Sequence, residues 1–134
     1  QDRKDLAAAV KKLTKGVGVD VVYDSIGKDT FLTSLDCLRP RGLMVTYGNA
    51  SGPVPPMSVM ELTKRGSLFL TRPSLFAYIA ARKDLEAAAR ETFAALKAKR
   101  FKLQINQRYA LADAAKAHRD LEARKTTGAT VLLP

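Results

Sequence analysis

The sequence predicts an α/β fold built on parallel strands, and three observations carry that prediction. Val19-Asp20-Val21-Val22-Tyr23-Asp24 and Leu43-Met44-Val45-Thr46-Tyr47 are short apolar runs that read as strands. Between them Phe31, Leu35 and Leu38 recur at helical spacing. A third run, Ser67-Leu68-Phe69-Leu70-Thr71, follows another helical segment. Strands that alternate with helices argue for a parallel sheet, because parallel neighbours need a crossover between them.

Taken in order, Leu6, Ala9, Val10 and Leu13 give residues 3–15 the pattern of an amphipathic helix, stopped by Gly16. Gly16-Val17-Gly18 turns the chain into the strand 19–24. Its unbroken Val21-Val22-Tyr23 run predicts a strand covered on both faces. Asp29-Thr30 offers a helix cap, and the helix whose inner face holds Phe31, Leu35 and Leu38 ends before Pro40. Strand 43–47 follows, then a loop over 49–56, rich in Gly and Pro. A short helix passes through Val59, Met60 and Leu62 to Arg65-Gly66, and strand 67–71 stops at Arg72-Pro73. Beyond it the pattern predicts a short helix at 74–82 and a longer one at about 84–99, with Asp84 as its cap. Strands near 102–105 and 107–110, a helix at about 112–123 and a strand at 129–133 complete the chain.

With 134 residues, of which 46% are hydrophobic, the chain can bury one core. No apolar run approaches the ~20 residues of a membrane-spanning helix. The opening Gln1-Asp2-Arg3-Lys4-Asp5 is charged, unlike a signal peptide, and has no initiator Met, which points to processing, a cloning boundary or proteolysis. A single cysteine, Cys37, within Leu35-Asp36-Cys37-Leu38, reads as a small core residue suited to a reducing cytoplasm. The net charge of +10 permits attraction to a polyanion, and its densest patch is Lys97-Ala98-Lys99-Arg100-Phe101-Lys102. The reading preferred for that patch is a solvated helix end, with a basic module that binds nucleic acid as the alternative.

Cys37 and His118 are too few soft ligands for a zinc site, and His118 reads as a packed or surface histidine. No serine lies in a G-x-S-x-G elbow. Asp24, at a strand end, suits either structural capping or a cofactor edge. Two strand tips stand out: Tyr47-Gly48-Asn49-Ala50-Ser51, with close backbone approach and amide donors, and Thr71-Arg72-Pro73-Ser74, with a guanidinium. Singly, Gly48 is an ordinary turn and Arg72 a surface ion pair; together, tips of neighbouring parallel strands converge on one crevice. The G-x-G-x-x-G phosphate fingerprint is absent from these residues.

The stretch Val21 to Thr30 resembles the zinc-free quinone oxidoreductases, the zeta-crystallin-like branch of the medium-chain dehydrogenase/reductase superfamily. So do Ser34 to Gly42, Tyr47 to Pro53, Lys64 to Leu68, Thr71 to Leu75, and the closing pattern from Tyr109 through Thr127-Gly128. The resemblance covers essentially the whole chain. It implies an NADPH-dependent reductase that passes hydride from nicotinamide to a quinone or similar electron-poor carbonyl compound. It implies that residues 1–100 are the later part of a Rossmann-type parallel sheet with flanking helices. Residues 101–134 would then be a strand-helix-strand segment of a GroES-like catalytic domain. By the same resemblance Ser25, Ile26, Gly27, Tyr47, Gly48, Asn49, Ala50 and Ser51 line the cofactor cleft. Arg72, Pro73, Ser74 and Leu75 lie nearer the nicotinamide, and Arg124 reaches a cofactor phosphate. A homodimer through sheet-edge strands, with strand 67–71 as the edge, is implied as well. Without the catalytic domain and the phosphate loop, the isolated chain is expected to self-associate, to bind NADPH weakly and to turn nothing over.

Overall fold

The computed structural model describes residues 5–134, in two compact units that divide between Tyr78 and Ile79. Residues 3 and 4 of the first predicted helix, and the charged segment before Asp5, lie outside the described residues.

In the first unit, helix α1 (Leu6–Leu13) leads to strand β1 (Val19–Asp24), helix α2 (Phe31–Asp36) and strand β2 (Leu38–Thr46). Helix α3 (Met60–Lys64), strand β3 (Phe69–Thr71) and the short helix α4 (Leu75–Tyr78) follow. The three strands form a parallel sheet in the order β1-β2-β3, as the alternating pattern predicts. Phe31 and Leu35 of α2 pack with Leu38 and Met44 of β2 and with Leu68 just before β3, and Leu35 and Met44 are wholly inaccessible to solvent. Val22, Val54, Met57 and Leu62 extend this core. Cys37 is buried beside it, and burial pushes its thiol up, as a small core residue requires.

β1 is not covered on both faces: Val21 is 37% and Tyr23 71% exposed, and these two alternate residues share one face of the strand, so that face is the open one. Leu38 belongs to β2 rather than to the helix, which ends at Asp36. Its apolar side chain falls in helical register with Leu35 by coincidence and reaches the same core from the strand. Pro40 is accommodated within β2 by an irregularity, since two residues of β1 (Val19 to Val21) span Leu38 to Leu43 of β2. There Arg41 takes φ 59° and donates its N–H to Gly66 O at 2.8 Å, so the missing N–H of Pro40 interrupts no regular ladder. Thr30 stands at the N-cap of α2 but makes no side-chain cap hydrogen bond; its hydroxyl is used elsewhere.

In the second unit, α5 (Arg82–Lys97) precedes β4 (Ile105–Ala110), a 3-10 turn (Leu111–Asp113), α6 (Ala114–Glu122) and β5 (Ala129–Leu133). α5 starts two residues before Asp84, after an Ala81 cap, and Asp84 instead places its charge in the first turn, where the helix dipole favours it. The predicted strands 102–105 and 107–110 are one strand, because the short β5 offers parallel partners only from Ile105 to Ala110. Tyr109 Oη donates to Asp120 Oδ2 at 2.9 Å and Lys116 Nζ donates to the same oxygen at 2.7 Å, tying α6 to β4. The predicted helix at 74–82 is confined to Leu75–Tyr78.

Candidate functional site

The tip of β1 is organised around one carboxylate. Asp24 is 4% exposed and accepts from Ile26 N at 2.8 Å, Gly27 N at 3.0 Å, Thr30 Oγ1 at 2.8 Å and Ser34 Oγ at 2.8 Å. Burial alone would raise its pKa, but the hydrogen bonds from Gly27, Ser34, Thr30 and Ile26 outweigh burial and hold the carboxyl below 3.8. Of the two roles open to Asp24 from the sequence, this is the capping one. The carboxylate is spent on shaping the turn 25–30.

That turn is laced to the loop after β2. Tyr47 N donates to Asp24 O at 2.9 Å, Ala50 N to Ser25 O at 3.3 Å and Ser51 N to Ile26 O at 2.8 Å. Lys28 N returns a bond to Gly52 O at 3.1 Å. The Ser51 hydroxyl donates to Ile26 O at 2.8 Å and accepts from Asp29 N at 3.0 Å. The approach is so close that a Cβ on Gly48 would stand 2.2 Å from Ser25 O, and one on Gly27 (φ 88°) 2.7 Å from Gly52 O. Both glycines therefore serve loop against loop, which is a stricter demand than an ordinary turn makes.

Arg72, just beyond β3, bridges to the second tip. Its Nη1 donates to Thr46 Oγ1 at 3.2 Å and to Gly48 O at 3.1 Å, and its Nη2 donates to Asn49 Oδ1 at 3.3 Å. All three acceptors are neutral oxygens. Beneath it opens a cleft of about 330 Å³. Thr46, Asn49 and Arg72 supply its polar rim, while Phe31, Val54 and Leu70 are prominent in its apolar wall. A flat, partly charged molecule suits such a cleft, with its ring on the wall and its polar edge on the rim.

The structure thus brings together Ser25, Ile26, Gly27, Tyr47, Gly48, Asn49, Ala50, Ser51 and Arg72. Of these, Asn49 and Arg72 line the cleft itself. Pro73, Ser74 and Leu75 run on into α4 without lining it, and Leu75 is 67% exposed. Arg124 is exposed at φ 56° just past α6, in the second unit, with its N–H donated to Leu121 O at 3.0 Å. Phe31, Val54 and Met57 of the wall were not singled out from the sequence as site residues. The signal for them was the apolar Val54 and Met57 inside a Pro-rich loop, where solvated residues are the rule.

Parallel strands whose tips converge on a crevice define an open α/β sheet of the nucleotide-binding kind, with its ligands outside the carboxyl ends of the strands. The chain belongs to the zinc-binding dehydrogenase family, whose model matches residues 1–132. It is 51% identical over 131 residues to a quinone oxidoreductase of Pseudomonas aeruginosa, covering 98% of this chain and 40% of that protein. It is 48% identical to a 2-haloacrylate reductase of a Burkholderia species, with the same coverage of both. The crystal structure of Escherichia coli quinone oxidoreductase complexed with NADPH superposes with a TM-score of 0.91 at 45% identity, over 97% of this chain and 40% of that one. The expected Rossmann-type fold class is upheld by these likenesses. The chain spans about 40% of the length of the curated relatives it matches, on their C-terminal portion.

Despite the family's description, no group of three or more His, Cys, Asp or Glu among the described residues could hold a metal ion. These residues do not fit a zinc site. No helix among them is long and apolar enough to cross a membrane.

Proposed function

We propose that this chain forms the C-terminal part of an NADPH-dependent, zinc-free quinone oxidoreductase, with residues 1–100 completing the dinucleotide-binding domain and 101–134 returning to the catalytic domain. The observation that carries the reading is the cleft in which Arg72 and the β2 loop meet above an apolar wall. It is supported by the high identity to proteins called quinone oxidoreductases and by the NADPH complex of one of them.

The residues present fit one side of such a cofactor. Thr46, Asn49 and Arg72 offer polar contacts to a carboxamide, ribose or acceptor oxygen, and the Phe31–Val54 wall keeps water from one face. When bound, the reduced nicotinamide supplies the hydride. Arg72 is placed to hold the acceptor oxygen as it gains negative charge, since its present partners are neutral and exchangeable. Pro73, Ser74 and Leu75 would continue that edge, and Arg124 is proposed as a phosphate contact on its charge and exposure. A cytoplasmic enzyme is in keeping with the unpaired, buried Cys37. A homodimer through strand β3 is in keeping with its place at the end of the sheet order β1-β2-β3.

The test is a chimera in which this chain replaces the matching portion of the Pseudomonas aeruginosa relative. NADPH-dependent quinone reduction within about tenfold of the intact relative is expected, a loss under ~1.4 kcal/mol in the barrier. Arg72→Gln in that chimera should lower kcat/KM about 10- to 100-fold, as losing a charged hydrogen-bond donor does. A chimera that folds and melts like its parent yet reduces no quinone would overturn the proposal. The 134-residue chain alone should bind NADPH more weakly than micromolar. Micromolar affinity needs ~8 kcal/mol, and an exposed arginine–phosphate pair contributes ~1 kcal/mol at most.

A further inference from the structure

Beside the cleft lies a second cavity of about 140 Å³, set between the first turn of α2 and the loop Val54 to Met57. Its α2 side is made by Lys28, Phe31 and Leu32, and its loop side by Val54, two prolines and Met57. We propose that this slot binds a small aromatic carboxylate, with the ring between Leu32 and Met57 and the carboxylate against Lys28.

Size, polarity and charge point the same way. An engineered apolar cavity of ~150 Å³ in another protein stays dry and accepts one benzene, so a single six-membered ring matches the space here. Six of the seven lining residues are apolar, and the seventh, Lys28, is the only charged one. No carboxylate lines the slot, so an anion entering it meets one positive charge and no repulsion from the walls. The frame is firm: Lys28 N is held by Gly52 O at 3.1 Å, and Phe31 is 3% exposed in the core. Pro55 and Pro56 restrict the backbone of the opposite side, which lowers the ordering cost of closing on a ligand. Asp29 follows Lys28 in the chain, is exposed and does not line the slot. Phe31, Val54 and Met57 line both the slot and the cleft, whereas Lys28 and Leu32 line only the slot, so variants at Lys28 and Leu32 separate binding here from the proposed oxidoreductase role.

The experiment titrates the full 134-residue chain with sodium benzoate and, separately, with neutral benzamide, reading methyl resonances by NMR. Saturable shifts at Leu32, Val54 and Met57 are expected, with benzoate tighter than benzamide. Lys28→Gln, at an exposed position, should weaken benzoate about two- to fivefold, the range of an exposed charge pair, and leave benzamide unchanged. Leu32→Trp, which fills the slot from a side chain 53% exposed, should abolish both without altering NADPH titrations. Circular dichroism confirms that each variant is folded. Absence of saturable shifts at these three methyls, or equal binding of benzoate to wild type and Lys28→Gln, overturns the proposal. So does benzamide binding as tightly as benzoate, since Lys28 would then play no part.

Discussion

The tip of β1 and the long helix α5 are opposite solutions to the same problem of satisfying a surface. At the tip, one buried carboxylate collects four donors, and two loops 20 or more residues apart exchange backbone bonds at 2.8–3.3 Å. Along α5 no residue is buried, Leu85 is 40% exposed and Phe93 68% exposed, although the helix carries an apolar stripe. The tip is tied together by a buried carboxylate that is fully hydrogen-bonded and by backbone bonds between its two loops. The helix is held by its own backbone and by exposed pairs such as Arg82 with Glu86. Mutational sensitivity should therefore concentrate in the tip, whatever the apolar content of the two segments.

The largest effect is expected from Asp24→Ala, which strands the Ser34 and Thr30 hydroxyls and two amides in a buried site. Unpaired donors of this kind cost ~1–3 kcal/mol each before relaxation, so a loss of ~3 kcal/mol or more in denaturant unfolding is the expected result. A variant as stable as wild type would erase the contrast with α5. The same residue sets a pH response. Its folded pKa is lowered below 3.8, so its contribution is full above the unfolded value and is lost as pH falls through the folded one. Between pH 6 and pH 3 the wild-type midpoint should drop more than that of Asp24→Asn, which no longer titrates there.

Next comes Gly48→Ala. The added methyl would press to 2.2 Å from Ser25 O, and backbone must move on one side or the other. A loss of ~1–3 kcal/mol, the cost of overpacking, is expected by thermal melting, with broadened NMR signals across Ser25–Gly27. Phe93→Ala should fall at the far end, within ~0.5 kcal/mol of wild type, as exposed positions generally do. A loss of several kcal/mol at Phe93 would mean that α5 packs against a partner in solution.

What could be read from the sequence follows the range of the interactions. β1, β3, α6 and β5 were legible because their periodicity and their Gly and Pro boundaries are local. The crevice at the tips of β1 and β2 was legible too, since parallel strands separated by one helix bring their ends together. Leu38 was misplaced because helix and strand both deliver an apolar side chain to the same core. Exposure of Tyr23 was missed because an apolar run says nothing about whether a second layer covers it. The cleft wall of Phe31, Val54 and Met57 depends on how the Pro-rich loop folds over α2, which no local pattern encodes.

The Ser51 hydroxyl, which gives a hydrogen bond to Ile26 O and takes one from Asp29 N, has a consequence for how the sheet assembles. Val21-Val22-Tyr23 and Leu43-Met44-Val45 are apolar enough to pair in more than one alignment. A slip of two residues moves one strand by about 6.6 Å along the other while keeping the same side chains on each face. The hydrophobic pattern cannot discriminate against that error. The loops can, because such a slip carries Ser51 beyond reach of both partners at once. Correct alignment is thus checked at the crevice rim, and a chain that has paired its strands wrongly also fails to build the rim.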